Sequence, residues 1–172
     1  AGFAYVKLMA AAEKAAKGGG PAVDATAVVE AAVRSACARV FDTARAEPAL
    51  NGMGSTCTAM YVYNSYAYFG QVGDSRAYLL RDDTLMQVTE DHSLVQEQVA
   101  AGLITPEQAK VSPMRNIITR SIGFEREVKV DVGGVPLQVG DLFMLCSDGL
   151  TGHVDDHEIH EIMSSHSRRK AA

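Results

Sequence analysis

Residues 56–88 read TCTAMYVYNSYAYFGQVGDSRAYLLRDDTLMQV, and this segment is the most informative about the fold. Side chains alternate with a period of two on either side of Asn64–Ser65, and short apolar runs flank Asp82–Asp83. A period of two is typical of strands, and both dipeptides are typical of tight turns. The stretch therefore predicts two successive antiparallel hairpins, with strands at 56–63, 66–72, 76–80 and 85–88.

Helical patterns flank these hairpins. Before them, we predict a helix at 3–17 and a second from Asp24 or Thr26 to Pro48, because apolar residues recur at helical spacing. After them, Ser93 and Thr105 are start signals for two short helices, and Asp155 with Glu158 forms a capping pair for a terminal helix.

The remaining segments are less regular. The alternation of Val128, Val130 and Val132 predicts a strand, and the apolar run 142–146 after Gly140–Asp141 predicts a buried strand. Residues 111–123 have no clean period, so we predict a mobile or partly ordered excursion there.

Composition predicts one globular domain over residues 1–172. The chain is 47% hydrophobic and 22% charged, and its net charge of −5 disfavours nucleic acid as a partner. No apolar run is long enough to cross a membrane. Three cysteines without metal-ligand spacing fit a reducing compartment, so we expect a cytoplasmic protein.

Two aspartates stand where an apolar strand ends beside a glycine. Asp74 lies in Gly73–Asp74–Ser75–Arg76, and Asp148 lies in Ser147–Asp148–Gly149. A carboxylate at such a position can leave the core, and the glycine lets a metal ion or a phosphate approach the main chain. Carboxylates without histidine or cysteine partners suit Mg²⁺ or Mn²⁺. On the local pattern alone, the simpler interpretation that each aspartate merely caps a turn is favoured.

Five segments, read in order, resemble one known family. They are Met53–Gly54–Ser55–Thr56, Gly73–Asp74–Ser75–Arg76–Ala77, Thr89–Glu90–Asp91–His92–Ser93, NIITRSIG at 116–123, and Ser147–Asp148–Gly149–Leu150–Thr151. Together they resemble the metal-dependent protein phosphatases of type 2C, the PPM family, in their compact bacterial form. The resemblance implies an α+β fold, an α-β-β-α sandwich of two antiparallel sheets flanked by helices.

The resemblance also implies a function and a set of site residues. A PPM phosphatase hydrolyses phosphoserine and phosphothreonine in proteins with a water activated by Mn²⁺ or Mg²⁺, and it usually opposes a Ser/Thr kinase. Its motifs place a catalytic metal ligand at Asp148 and a ligand of a weaker third metal at Asp74. The excursion at 111–120 corresponds to the family's flap, where Arg115 and Arg120 either meet phosphate or a phosphopeptide or simply keep the flap solvated.

The chain also departs from the family pattern. The family's Asp–Gly–Met–Gly–Gly–His segment and its late Asp–Asn motif are both absent. We therefore expect a domain truncated at both ends, without the N- and C-terminal strands. The alternative function is a catalytically impaired fragment or pseudophosphatase that binds phosphoproteins as a regulatory module. Exposed sheet edges would favour association with a second copy of the chain.

Other polar residues have a simpler interpretation. His153, His157 and His160 share a helical spacing that a transition metal could use, but a solvated face is favoured. His92 could transfer a proton, although a structural hydrogen bond is favoured. Arg76 is predicted to pair with a nearby carboxylate.

Overall fold

The computed structural model describes residues 24–171, with side chains up to residue 165, so the helix predicted at 3–17 lies outside the described residues. Five α-helices and six strands occur in this part of the chain. They are α1 (Ala25–Ala46), β1 (Cys57–Tyr63), β2 (Tyr66–Val72), β3 (Arg76–Arg81), β4 (Thr84–Gln87), α2 (Leu94–Ala100), α3 (Pro106–Val111), β5 (Asp131–Pro136), β6 (Leu142–Cys146), α4 (Asp148–Thr151) and α5 (Asp156–Ala171). A 3₁₀ turn, Pro48–Leu50, follows α1.

The first sheet has the order β1-β2-β5, and both pairings are antiparallel. Strands β1 and β2 form a hairpin around Asn64 and Ser65, whose φ angles are 48° and 61°. Positive φ at both central residues is the geometry of a two-residue hairpin turn that follows the natural strand twist. The first predicted hairpin is therefore confirmed.

The second sheet has the order β4-β3-β6 and is also antiparallel. Strands β3 and β4 turn at Asp82 and Asp83, which again have positive φ, 49° and 58°. The second predicted hairpin is confirmed, with its last strand one residue earlier at each end than expected.

Four layers follow from the alternation of side chains in the central strands. Ala67 and Phe69 of β2 face Ala77 and Phe143 of the second sheet in a shared apolar cluster, and the Phe69 and Phe143 rings lie 5.9 Å apart. The opposite face of the first sheet packs against α1, and that of the second packs against α5. The predicted α-β-β-α sandwich is confirmed.

The start of β5 differs from the sequence expectation. The predicted strand at 128–132 is wrong in its bounds, because β5 spans Asp131–Pro136. Val130 is buried in the cluster beneath α1 before the strand begins, and Val128 packs against that cluster. Gly133 and Gly134 pair opposite Phe69 and Tyr68 of β2, so the glycines that interrupt the apolar pattern are part of the strand.

The position of β6 agrees with the prediction, but its burial does not. Strand β6 is an edge strand of the second sheet, and Leu145 is 41% exposed. The expectation of a buried strand is therefore wrong. An uninterrupted apolar run cannot by itself distinguish a central strand from an edge strand.

The chain that enters β6 is fixed to β3 by an ion pair. Arg81 donates to both carboxylate oxygens of Asp141, over 2.8 Å and 2.7 Å, and the Asp141 side chain is only 4% exposed. The Arg81 hydrogen bond holds the pKa of Asp141 below its usual value of 3.8.

Asp141→Asn is expected to lower Tm at pH 7. Because the pKa of Asp141 is lower in the folded than in the unfolded state, its ionised form stabilises the fold at neutral pH, and this contribution is lost as the pH falls through the folded value. Thermal unfolding between about pH 7 and pH 2 should show the two proteins converging in acid. A Tm difference that stays constant with pH would contradict this.

Candidate metal centre

Asp74 lies in the short connection that crosses from the first sheet to the second. The preceding residue, Gly73, has a φ of +106°, and a Cβ placed on it would lie 2.3 Å from the Thr56 methyl carbon. Both facts make glycine necessary, since other residues disfavour this φ and no space is left for a side chain. The connection brings the half-buried carboxyl of Asp74 to one end of the sandwich.

Asp148 is brought to the same end by the register of the second sheet. Arg76 at the start of β3 pairs with Cys146 at the end of β6. Asp74 lies two residues before Arg76, and Asp148 lies two residues after Cys146. Both aspartates therefore lie just beyond the same end of the paired strands β3 and β6. Asp148 begins the four-residue helix α4 and is exposed.

The electrostatics of Asp74 reflect this placement. Burial raises the pKa of the Asp74 carboxyl, and the negative charges of Asp148 and Asp91 raise it further. A hydrogen bond from the backbone N–H of Asp74 and the charge of Arg76 act in the opposite direction but do not cancel these effects. The end of the sandwich therefore carries an excess of negative charge that a cation would neutralise.

The donor set at this end suits a hard cation. Carboxylate oxygens are the ligands that Mg²⁺ and Mn²⁺ prefer, and Asp74 and Asp148 supply them. Within residues 24–165, no group of three or more His, Cys, Asp or Glu side chains is placed to hold a metal ion. The two aspartates fit as part of a coordination shell, and their role as metal ligands stays a prediction.

Arg76 and Asp91 form a bidentate ion pair beside the site. The Nη2 and Nε atoms of Arg76 donate to the Asp91 carboxylate over 2.7 Å and 2.9 Å, and Nη1 donates to the Tyr78 hydroxyl over 3.0 Å. The predicted carboxylate partner of Arg76 is confirmed. Asp91 is thereby occupied by a cation from the protein itself.

A second network surrounds Asp131 at the start of β5. His92 Nε2 lies 3.0 Å from one carboxylate oxygen, and Arg120 Nη1 donates to the other over 2.7 Å. Burial acts against ionisation of Asp131, but the hydrogen bonds from Arg120 and His92 hold its pKa below the usual value. The structural hydrogen-bonding role favoured for His92 is confirmed.

The two arginines of the 111–120 segment have different surroundings. Arg120 is held by Asp131, whereas Arg115 is exposed, and no described side chain forms an ion pair with it. Most of this segment has no regular helix or strand, although Ile118 bridges to Ser93, and its mobility stays a prediction. A role of either arginine toward substrate stays a prediction.

The three late histidines do not form a cluster. His153 precedes α5 and is exposed, as is His157, whereas the His160 ring lies 2.7 Å from the carbonyl oxygen of Asp83. The solvated face favoured from the sequence describes the first two. His157 and His160 line a cleft of about 350 Å³ between β4 and α5.

Sequence reasoning did not identify Asp131 or Gln71 as neighbours of the site. Gln71 and Asp131 are opposite each other in the β2–β5 register. Asp131 reads locally as one polar residue in an alternating strand, and its partners His92 and Arg120 lie 39 and 11 residues away. The placement of Gln71 two residues before Gly73 was the available signal.

Comparison with known proteins gives one consistent result. Residues 13–98 match the family model described as Protein phosphatase 2C. The serine/threonine phosphatase stp of Listeria innocua is 47% identical over 122 residues, which cover 71% of this chain and 48% of that protein. The chain thus spans about half the length of the curated relatives it matches.

The fold of this chain is also similar to that of solved phosphatase structures. The serine/threonine phosphatase PstP/Ppp of Mycobacterium tuberculosis has a TM-score of 0.77 and 38% identity, covering 90% of this chain and 66% of that one. A catalytic domain of PstP in complex with two manganese ions has a TM-score of 0.72 and 37% identity, covering 90% and 64%.

The sandwich thus has the fold of these solved serine/threonine phosphatases. The family match covers half of the chain, and we conclude that the chain belongs to the protein phosphatase 2C family.

Across residues 24–171, no helix is both long and apolar enough to cross a membrane.

Proposed function

We propose that this chain contributes to the metal-dependent hydrolysis of phosphoserine and phosphothreonine in proteins. The observation that carries the proposal is that the β3–β6 register brings Asp74 and Asp148 to the same end of the sandwich, where negative charge is in excess. The relatives named as serine/threonine phosphatases, and the neighbour that holds two manganese ions, support it.

Asp74 and Asp148 would hold Mn²⁺ or Mg²⁺ through carboxylate oxygens. When bound, such a metal lowers the pKa of a water and neutralises charge on phosphate oxygens. The chain's own residues fix the site: Gly73 sets the turn before Asp74, and the Arg76–Asp91 pair anchors the start of β3.

Arg115 and Arg120 are proposed to lie on the substrate side. An exposed guanidinium such as that of Arg115 can donate two parallel hydrogen bonds to a phosphate group. Arg120 is already engaged by Asp131, so its proposed contribution is to keep the segment at 111–120 in place. The substrates are proposed to be proteins phosphorylated by a Ser/Thr kinase.

A second candidate function is a regulatory module that binds phosphoproteins without turnover. Its support is the absence, among the described side chains, of a third carboxylate, histidine or cysteine placed to complete a metal centre with Asp74 and Asp148. A binding module needs Arg115 and the fold, but it does not need an activated water.

Hydrolysis of a phosphothreonine peptide by the chain in Mn²⁺, with and without chelator, distinguishes the two functions. We expect turnover that is lost with the chelator. Asp74→Asn is expected to raise the Mn²⁺ concentration for half-maximal activity by about tenfold, because it removes one proposed ligand, while Tm remains near that of the unaltered chain.

Two outcomes would contradict the proposal. Peptide binding without any metal-dependent turnover would favour the regulatory module. A Mn²⁺ titration unchanged by Asp74→Asn would remove Asp74 from the proposed metal centre.

A further inference from the structure

Gln71 is buried directly beneath the turn that carries Asp74. Its side chain is at the end of β2, and the residue is 3% exposed. The amide nitrogen donates to the carbonyl oxygens of Gly73 and Ser75 over 2.9 Å and 2.7 Å. The amide oxygen in turn accepts a hydrogen bond of 2.7 Å from the Thr58 hydroxyl. One side chain thus holds the backbone on both sides of Asp74.

His92 holds the same turn from the other direction. It is also 3% exposed, and its Nδ1 accepts a hydrogen bond of 3.1 Å from the backbone N–H of Gly73. The backbone N–H of His92 donates to the Gly73 carbonyl over 2.9 Å. Because Nδ1 accepts, the ring proton lies on Nε2, which points to Asp131.

These contacts fix a backbone that is otherwise unfavourable to hold. Gly73 has a φ of +106° in the folded chain. Glycine loses more conformational entropy on folding than any other residue type, so fixing it in one conformation is costly. Among the described residues, no side chain donates a hydrogen bond to the Asp74 carboxylate. The point from which the Asp74 side chain extends is therefore set by the backbone of residues 73–75.

We propose that Gln71 and His92 are positioning residues for Asp74. Together they bind the N–H and C=O of Gly73 and the C=O of Ser75, so that the backbone carrying Asp74 is held at the end of the sandwich where Asp148 also lies before any ligand arrives. His92 also joins this turn to Arg120 through Asp131, which connects the segment at 111–120 to the same backbone. The metal-binding consequence rests on the proposed function, whereas the holding of the turn does not.

Hydrogen exchange of the metal-free chain tests the holding of the turn. The Gly73 amide is the reporter, and the amides of β3 report global unfolding. Gln71→Met keeps the length of the side chain but removes its donors, and we expect Gly73 exchange to accelerate by at least about tenfold relative to β3. The control is Val29→Ala, which opens a cavity in the cluster of Ala25 and Tyr61 beneath α1 without touching the turn.

A pair of His92 variants provides a second arm, in case Gln71→Met does not fold. His92→Leu removes the acceptor for Gly73, whereas His92→Asn retains an oxygen near the position of Nδ1. We expect faster Gly73 exchange in His92→Leu and partial rescue in His92→Asn. Gly73 exchange that changes only as much as in Val29→Ala, in both arms, would overturn the proposal.

Mn²⁺ binding, measured by electron paramagnetic resonance, tests the consequence for the site. We expect Kd to rise about tenfold in Gln71→Met and in His92→Leu, and to remain unchanged in Val29→Ala. An unchanged Kd in the first two variants would overturn positioning. Absence of Mn²⁺ binding by the unaltered chain would instead refute the proposed function, and the exchange data would still decide whether Gln71 and His92 hold the turn.

Discussion

Asp148→Asn is expected to reduce Mn²⁺-dependent hydrolysis of a phosphothreonine peptide by at least about 100-fold. Loss of residues that merely orient metal ligands costs 10- to 100-fold, and a ligand itself should cost no less. An amide keeps the shape of the side chain but removes the negative charge that Mn²⁺ requires. Initial rates at saturating peptide over a Mn²⁺ series provide the measurement.

The control for this result is Asp82→Asn. Asp82 is exposed in the β3–β4 turn, at the opposite end of β3 from the site, and its φ of 49° is one that asparagine tolerates. We expect this variant to retain full activity. Activity of Asp148→Asn within a few-fold of the control would remove Asp148 from the proposed metal centre.

Gly73→Ala is expected to lower the free energy of unfolding by about 3 kcal/mol or more. The new Cβ would lie 2.3 Å and 2.5 Å from two side-chain carbons of Thr56 and 3.1 Å from its Cα, at a φ that disfavours alanine. Because the backbone of Thr56 is involved, a side-chain rotation alone cannot relieve the contact. Urea unfolding followed by circular dichroism provides the measurement.

Gly140→Ala separates the two causes of that loss. Gly140 has a similar φ of +97°, but nothing lies within 4 Å of the position of its Cβ. Strain without steric contact should cost about 1–2 kcal/mol. Equal losses in the two variants would show that the contact with Thr56 contributes nothing.

The central part of the fold could be predicted because its determinants are local. Strands β1 to β4 are predicted by side chains that alternate with a period of two and by two-residue turns, all within 56–88. The bounds of β5 and the exposure of β6 depend on partners far away in the sequence. Whether Gly133 breaks a strand or fits opposite Phe69 cannot be read from its neighbours in the chain.

The candidate site divides in the same way. Asp74 and Asp148 were identified because a glycine and a strand end mark each of them. Asp131 could not be identified, because its role depends on its hydrogen bonds with His92 and Arg120. The fold brings these two residues next to Asp131 from other parts of the chain. The confirmed pairing of Arg76 with a carboxylate needed only charge, but its partner, Asp91, lies 15 residues away.

Isothermal titration calorimetry of Mn²⁺ into the chain, and into the double variant Asp74→Asn/Asp148→Asn, shows whether these two aspartates form a metal centre. We expect saturable Mn²⁺ binding to the unaltered chain and to Asp82→Asn, and no saturable binding to the double variant, with similar Tm values for all three. Binding that survives in the double variant, or that is absent from the unaltered chain, would contradict it.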